Sequence, residues 1–401
     1  MNSMDEARAS LDAGRVLDAY RQTKAEVRAV LASEDAQWVR VGAMLENASL
    51  LPLDARQAHL DAVIEYVRTT LGPVRWAEGH RVDPVRPVSD QSLEGRFRTY
   101  CEIVEDAGAE SLADAMLTAY LNADASVSTL ERGRVEAVRG RLAWKSGDLD
   151  AATERYRRVA ATGRREQSDE LKVRALIGQS VVARHRGNYP QVREIARRAA
   201  TLAERRGMSR LAASGYQMLT VGFAIAADFG TAVTYAWKAY QHALGDPIME
   251  SEALQIIGQL FLDMGHPEPA AAAFRTIISR GPTDRFLVPS LGGLAVAASR
   301  ERASDTVSWV DDMLNARMRV GALPYHLASA QLELAMAWDE LGVHTRAAEM
   351  RRAALEIARE HHFHEIAHHA EERQVVTAPA PEPLSSYVEA VADAVLQLAP
   401  A

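Results

Sequence analysis

Gly140-Arg141-Leu142-Ala143-Trp144-Lys145-Ser146-Gly147-Asp148-Leu149-Asp150-Ala151-Ala152-Thr153-Glu154-Arg155-Tyr156-Arg157-Arg158-Val159 reads as two amphipathic halves joined at one glycine. Before Gly147, the residues Val135, Val138 and Leu142 form a helical stripe. After it, Leu149, Ala152, Tyr156 and Val159 continue at i, i+3, i+7 and i+10. Glycine suits a helix C-terminus because it adopts the left-handed conformation without a Cβ clash. Asp148, the next residue, is a good cap for the second helix, and Asn188 is placed in the same way after Gly187.

The same signature recurs along the chain. Turn anchors fall at Gly14, Leu53, Gly108, Gly147, Gly187, Ala227, Gly265, Ala303, Gly342 and Glu382, at spacings of 39, 55, 39, 40, 40, 38, 38, 39 and 40. Five residues after most anchor glycines stands alanine: Ala19, Ala113, Ala152, Ala270 and Ala347. Seven before them stands a small residue: Ala7, Cys101, Gly140, Ser180, Gly258 and Ala335. A period of this size means a stacked array of helix pairs rather than one closed core. Small residues at both positions let the two helices of a pair approach closely. Hydrophobic residues make up 48% of the 401 residues and aromatic ones only 6%, as such packing requires. The reading predicts an all-α right-handed superhelical solenoid of about ten antiparallel helix pairs with a C-terminal capping helix.

Four segments follow from the spacing. Residues 1–71 carry N-terminal helix pairs, and 72–91 form a Pro-containing insertion. Residues 92–376 are the regular solenoid, and 377–401 are a Pro-rich hinge and capping helix. The insertion is either a tolerated surface loop or a flap built on Arg75, Trp76, His80 and Arg81. Every proline noted is expected in a turn, a loop or a first helical turn, Pro289 included. Leu384–Leu398 reads as one amphipathic helix placed as helix B of a tenth unit, where it covers the end of the array. A homodimer through this helix is the alternative.

With the anchors placed, the chain resembles the tetratricopeptide repeat family, in a longer-period type. Gly258, Phe261, Gly265, Ala270, Phe274, Ile277 and Pro282 keep the family's order of small, aromatic, Gly, Ala, aromatic, apolar and Pro. Gly140–Val159 is the other clear unit, and Gly342–Ala354 keeps only the Gly and Ala positions. The resemblance implies a helical-repeat binding protein of bacterial signalling or assembly type, without chemistry or cofactor of its own.

Charge narrows the partner. The total is −8, yet Glu131 to Arg210 holds 20 Lys and Arg against 10 Asp and Glu, a local +10. Register places Arg134, Arg141, Trp144, Arg174 and Arg184 on the first helices, which line the concave groove, followed by Gln217, Gln255 and Gln259. Arginine forks pair with carboxylates, and amides bond an extended backbone. The expected partner is therefore a protein or peptide with an acidic segment. Asp339 and Glu340 reverse the sign further along. The more numerous arginines of the second helices, such as Arg155, Arg157, Arg158, Arg193, Arg197 and Arg198, form either a solvated face laced with Glu154 and Glu194 or a patch for an acidic partner or nucleic acid. No aromatics are interleaved for base stacking, which disfavours nucleic acid.

His364-Glu365-Ile366-Ala367-His368 matches the zinc-protease string H-E-x-x-H, with Glu389 and Asp393 following as E-x-x-x-D. The array offers no sheet to bind a substrate strand, so the string reads first as a solvated helix face, with a zinc-binding protein at this string as the alternative, and no metal ligand is assigned. No nucleophile constellation accompanies it. One cysteine, no basic-then-apolar start and no long apolar run lead to the expectation of a non-enzymatic, cytoplasmic protein that does not engage a membrane.

Overall fold

Helix ends dictate the architecture. The computed structural model describes residues 114, 117, 121, 128–282, 284–319, 324–360, 363–371 and 379–400. The N-terminal pairs expected over 1–71, the insertion at 72–91 and Cys101 lie outside them. Helices α1 Thr129–Lys145, α2 Leu149–Arg165, α3 Asp169–His185 and α4 Tyr189–Arg205 are followed by α5 Ser209–Ala224, α6 Phe229–Ala243 and α7 Pro247–Asp263. Then come α8 Pro267–Ser279, α9 Asp284–Arg300, α10 Ser304–Arg319, α11 Pro324–Glu340, α12 His344–Glu360, α13 His364–Glu371 and α14 Ser386–Leu398. No strand occurs among the described residues.

The connectors are as regular as the helices. Left-handed residues stand at Gly147, Gln167, Gly187, Gly207 and Ala227, each 20 after the last. The repeat of about 39 is thus two nearly equal halves, a 17-residue helix plus three linking residues. At the α1–α2 turn, Gly147 N–H donates to the Trp144 carbonyl and Asp148 N–H to the Ala143 carbonyl, the paired bonds of a Schellman motif. Asp148 then accepts from Ala151 N–H at 2.8 Å and so starts α2. Ser168, Asp228 and Asp246 start α3, α6 and α7 in the same way. One residue therefore closes the first helix and opens the next.

The described residues fall into two compact units, one ending at Asn188 and the other starting at Tyr189. In the first, α2 packs against α1 and α3, and α1 also meets α3. Its core is held by a wedge: a Cβ on Gly140 of α1 would lie 2.9 Å from the Tyr156 ring, and one on Gly178 of α3 only 2.1 Å from it. In the second unit, Phe274 of α8 is wedged between Gly258 of α7 and Gly293 of α9 in the same manner, at 2.8 and 2.4 Å. The odd-numbered helices of successive pairs touch, α5 on α7, α7 on α9 and α9 on α11. We call them A helices, and their even-numbered partners up to α12 B helices. Ala152, Ala270 and Ala347, five after the glycines, are fully buried, as are Ser180 and Ala335, seven before them.

Three placements differ from expectation. Pro289 lies inside α9, five residues past its first residue, in a helix whose neighbours bury nearly every residue, so tertiary packing outweighs the lost backbone bond. The turn before α10 centres on Arg302 (φ 60°) rather than Ala303. The C-terminal helix forms, yet α14 sits on α8 and α6 rather than after α13.

Glu333 of α11 presses its carboxyl against Gly292 of α9, where a Cβ would fall 2.0 Å from Oε2. Burial raises this carboxyl to about 7.

Three consequences are measurable. Gly178→Ala drives a methyl into a buried tyrosine and is expected to cost about 2–3 kcal/mol in urea unfolding. Ala227→Gly relieves a left-handed alanine (φ 56°) and should gain roughly 0.5–1 kcal/mol. Because Glu333 binds its proton more tightly in the fold than when unfolded, its contribution is full below about pH 4.5 and is lost as pH rises through about 7. Glu333→Gln should therefore flatten that slope and leave the protein roughly 1–2 kcal/mol more stable than wild type at pH 8, after allowing for solvent screening of a partly exposed group.

Candidate functional site

The A-helix side of the first unit carries the expected arginines, and it carries a carboxylate that the register did not reveal. Arg134 of α1 forks onto Glu170 of α3, Nη2 at 2.7 Å and Nε at 3.0 Å. Arg174, one turn along α3, donates Nε to the other oxygen at 2.8 Å. Glu131 adds a longer contact to Arg134 at 3.5 Å. Burial works to raise the Glu170 carboxyl, but the two guanidiniums prevail and hold it below the usual carboxylate range. In turn Glu170, ahead of Glu131, raises Arg134 above its ordinary value against the effect of burial. Two of the four arginines thus share one internal anion.

The other three residues lie further along the same helices. Arg141 stands two turns beyond Arg134, partly buried. Trp144 packs over the Ala152, Tyr156 and Val182 cluster and meets the His185 ring at 5.0 Å between centroids. Arg184 Nη2 lies 3.2 Å from His185 Nε2. Partial burial and then the Arg184 charge hold that imidazole below its ordinary value. The result is a basic strip with a flat aromatic at its end.

The three glutamines belong to the second unit and are also engaged there. Gln217 of α5 reaches Glu252 of α7 at 3.5 Å, and Arg285 of α9 meets the same carboxylate at 2.9 Å. Gln259 donates to Asp263 at 2.9 Å along its own helix. Gln255 is half-buried on the same face of α7. Glu252 therefore repeats the part of Glu170, taking donors from neighbouring A helices. Spacings of 36 and 35 residues, slightly under one period, were the signal that points to both carboxylates. Further along, Asp339 is bound to Arg351 and lies 2.9 Å from His344, while Glu340 lies 3.5 Å from Arg300.

On the B helices, Arg157 and Arg158 are exposed and lie beside Glu154 at 3.9 and 3.1 Å. Arg155 turns back to Glu136 at 3.1 Å. Arg193 donates to the Gly222 carbonyl and lies over the Phe223 ring. Arg157 and Arg158 thus share one exposed acid, whereas Arg155 and Arg193 are partly buried and held by neighbouring groups.

His364, Glu365 and His368 are exposed on α13. Glu389 and Asp393 lie on α14, whose seat is α8 and α6. Among the described residues no three His, Cys, Asp or Glu side chains are grouped to hold one ion. Nor is any described helix long and apolar enough to cross a membrane.

Stacked helix pairs of this kind have counterparts among solved structures. A signal transduction ATPase with a tetratricopeptide repeat sensor from Pyrococcus horikoshii superposes with a TM-score of 0.52 at 10% identity, covering 88% of this chain and 55% of that one. The fold is a tetratricopeptide-like repeat array. The apo quorum sensor NprR of B. thuringiensis matches with a TM-score of 0.50, also at 10% identity, over 69% of this chain and 79% of its own. This chain spans just over half the length of the Pyrococcus protein. No family model and no curated protein matches the sequence.

Proposed function

We propose that this tetratricopeptide-like array is a non-enzymatic, cytoplasmic protein- or peptide-binding adaptor of signalling or assembly type. It takes an acidic segment on the A-helix side of α1 and α3. The observation that carries this reading is the Arg134–Glu170–Arg174 arrangement, in which two guanidiniums on neighbouring helices already close on one carboxylate. A partner's Asp, Glu or terminal carboxylate fits the same forks, and Arg141 and Arg184 extend the strip for a second acidic group. Trp144 offers an apolar platform beside them. In the second unit Gln217, Gln255 and Gln259 supply amides suited to an extended peptide backbone. The names of the two matching structures, a repeat sensor and a quorum sensor, agree with a ligand-responsive role.

Glu170 acts in this reading as an internal competitor. Fluorescence titration with an acidic peptide library tests it. Arg141→Glu with Arg184→Glu should weaken the best binder at least about tenfold. Glu170→Gln, which leaves the forks without their internal anion, should tighten it by roughly three- to tenfold. If charge reversal leaves every affinity unchanged, the basic strip is not the binding surface.

A further inference from the structure

The C-terminal segment makes contacts that a mere end-cap would not need. Residues 379–385 run over the α7–α8 turn before α14 begins. Glu382 N–H donates to the Met264 carbonyl at 3.0 Å. The Glu382 carbonyl lies 2.7 Å from His266 Nε2 and accepts from it. The backbone passes so close that a Cβ on Gly265 would sit 2.7 Å from the Pro379 carbonyl oxygen and 3.0 Å from Pro381 Cα. The other left-handed glycines, Gly147, Gly187, Gly207, Gly245, Gly281 and Gly342, face open space. This one turn is covered.

Beyond the turn, α14 straddles two successive B helices, α8 and α6. Val388, Val391, Ala392 and Val395 form its buried face. Packed also against α7 and α9, α8 buries eight of its 13 residues, Ala271, Ala272 and Ala273 among them. The B helix α12 buries only four of 17. Yet α14 itself is lightly held, with four small buried side chains against the nine buried residues of α7.

We propose that residues 379–398 form a releasable strap that locks the junction between the α5–α6 and α7–α8 pairs. In a repeat array each pair contacts only its neighbours, so the angle at each junction is set locally. A segment that grips the B helices on both sides of one junction, and the turn of one of those pairs, removes that freedom. Docked, it fixes α5 relative to α7. Undocked, the junction flexes while the rest of the stack keeps its own contacts. The inference requires no ligand and is independent of the peptide-binding reading.

Hydrogen exchange on the full chain tests it. Val391→Asp with Val395→Asp places two charges on the buried face and undocks α14 without removing it. Exchange should rise at least about tenfold in α6, α8 and the turn at 264–266, with α2, α3, α11 and α12 unchanged. An excess of a synthetic peptide of residues 379–400 should restore protection in trans. Glu382→Pro, which removes the N–H given to Met264 while leaving the α14 face intact, should raise exchange at the turn alone. Unchanged exchange in α6 and α8 would overturn the proposal, as would failure of the peptide to restore protection. So would a rise spread through all helices of the second unit, since α14 would then be an integral part of the core.

Discussion

A helix leaves four amides unbonded at its start and four carbonyls at its end, and this chain meets both demands within three residues. The Gly147 and Asp148 amides satisfy carbonyls of α1, and the Asp148 carboxylate satisfies an amide of α2. So short a connector forces the two helices to run antiparallel and side by side. It also forces the interface between them to be thin, because the helices start close together and have no loop to spread them. Everything else in the array answers to that closeness. Ala152, Ala270 and Ala347 are buried because nothing larger fits where the paired helices cross. The aromatic residues are few for the same reason.

Where a large ring does enter, the neighbours give way entirely. Tyr156 and Phe274 occupy corresponding places three repeats apart, each between two glycines on flanking A helices. The ring fills the space that three backbones leave at their meeting point, so it fixes how one pair stacks on the next. That stacking brings successive A helices into contact. It is what lets Arg134 reach Glu170 and Gln217 reach Glu252, bonds that tie helix pairs together through polar groups on the A-helix side.

The parts legible in the sequence are those governed by backbone conformation and volume. Gly147, Gly187, Gly265 and Gly342 mark A–B turns because a left-handed residue there is best made of glycine. The intervening B–A turn at Gln167 escaped notice, and the A–B turn at Arg302 was placed one residue late at Ala303, because neither uses glycine in that conformation. Those residues carry strain that neighbouring contacts hold in place, so composition does not announce them. Pro289 was expected in a turn, a loop or a first helical turn because an interior proline costs a bond, but nearly every residue of α9 is buried and the helix retains it. The seat of α14 was not legible either. Its apolar stripe says that one face must be covered, and not by which surface.

The candidate site shows the same division. Register assigned four arginines to one face, but a helical wheel treats a charge as belonging to its own helix. Glu170 lies only one residue into α3 and reads as a residue that favours a helix start. Its carboxylate nonetheless accepts from Arg134 on a different helix and from Arg174 on its own. The face is therefore less positive than its arginine count, and its geometry is better defined. Lone arginines on exposed helices lose much side-chain freedom when they bind. Arginines already forked on a carboxylate have given up that freedom during folding. Exchange of one carboxylate for another then costs little ordering, although it must release the internal bond first. Glu170 holds Arg134 and Arg174 in place, and under the proposed function it would set the threshold that an acidic partner has to exceed.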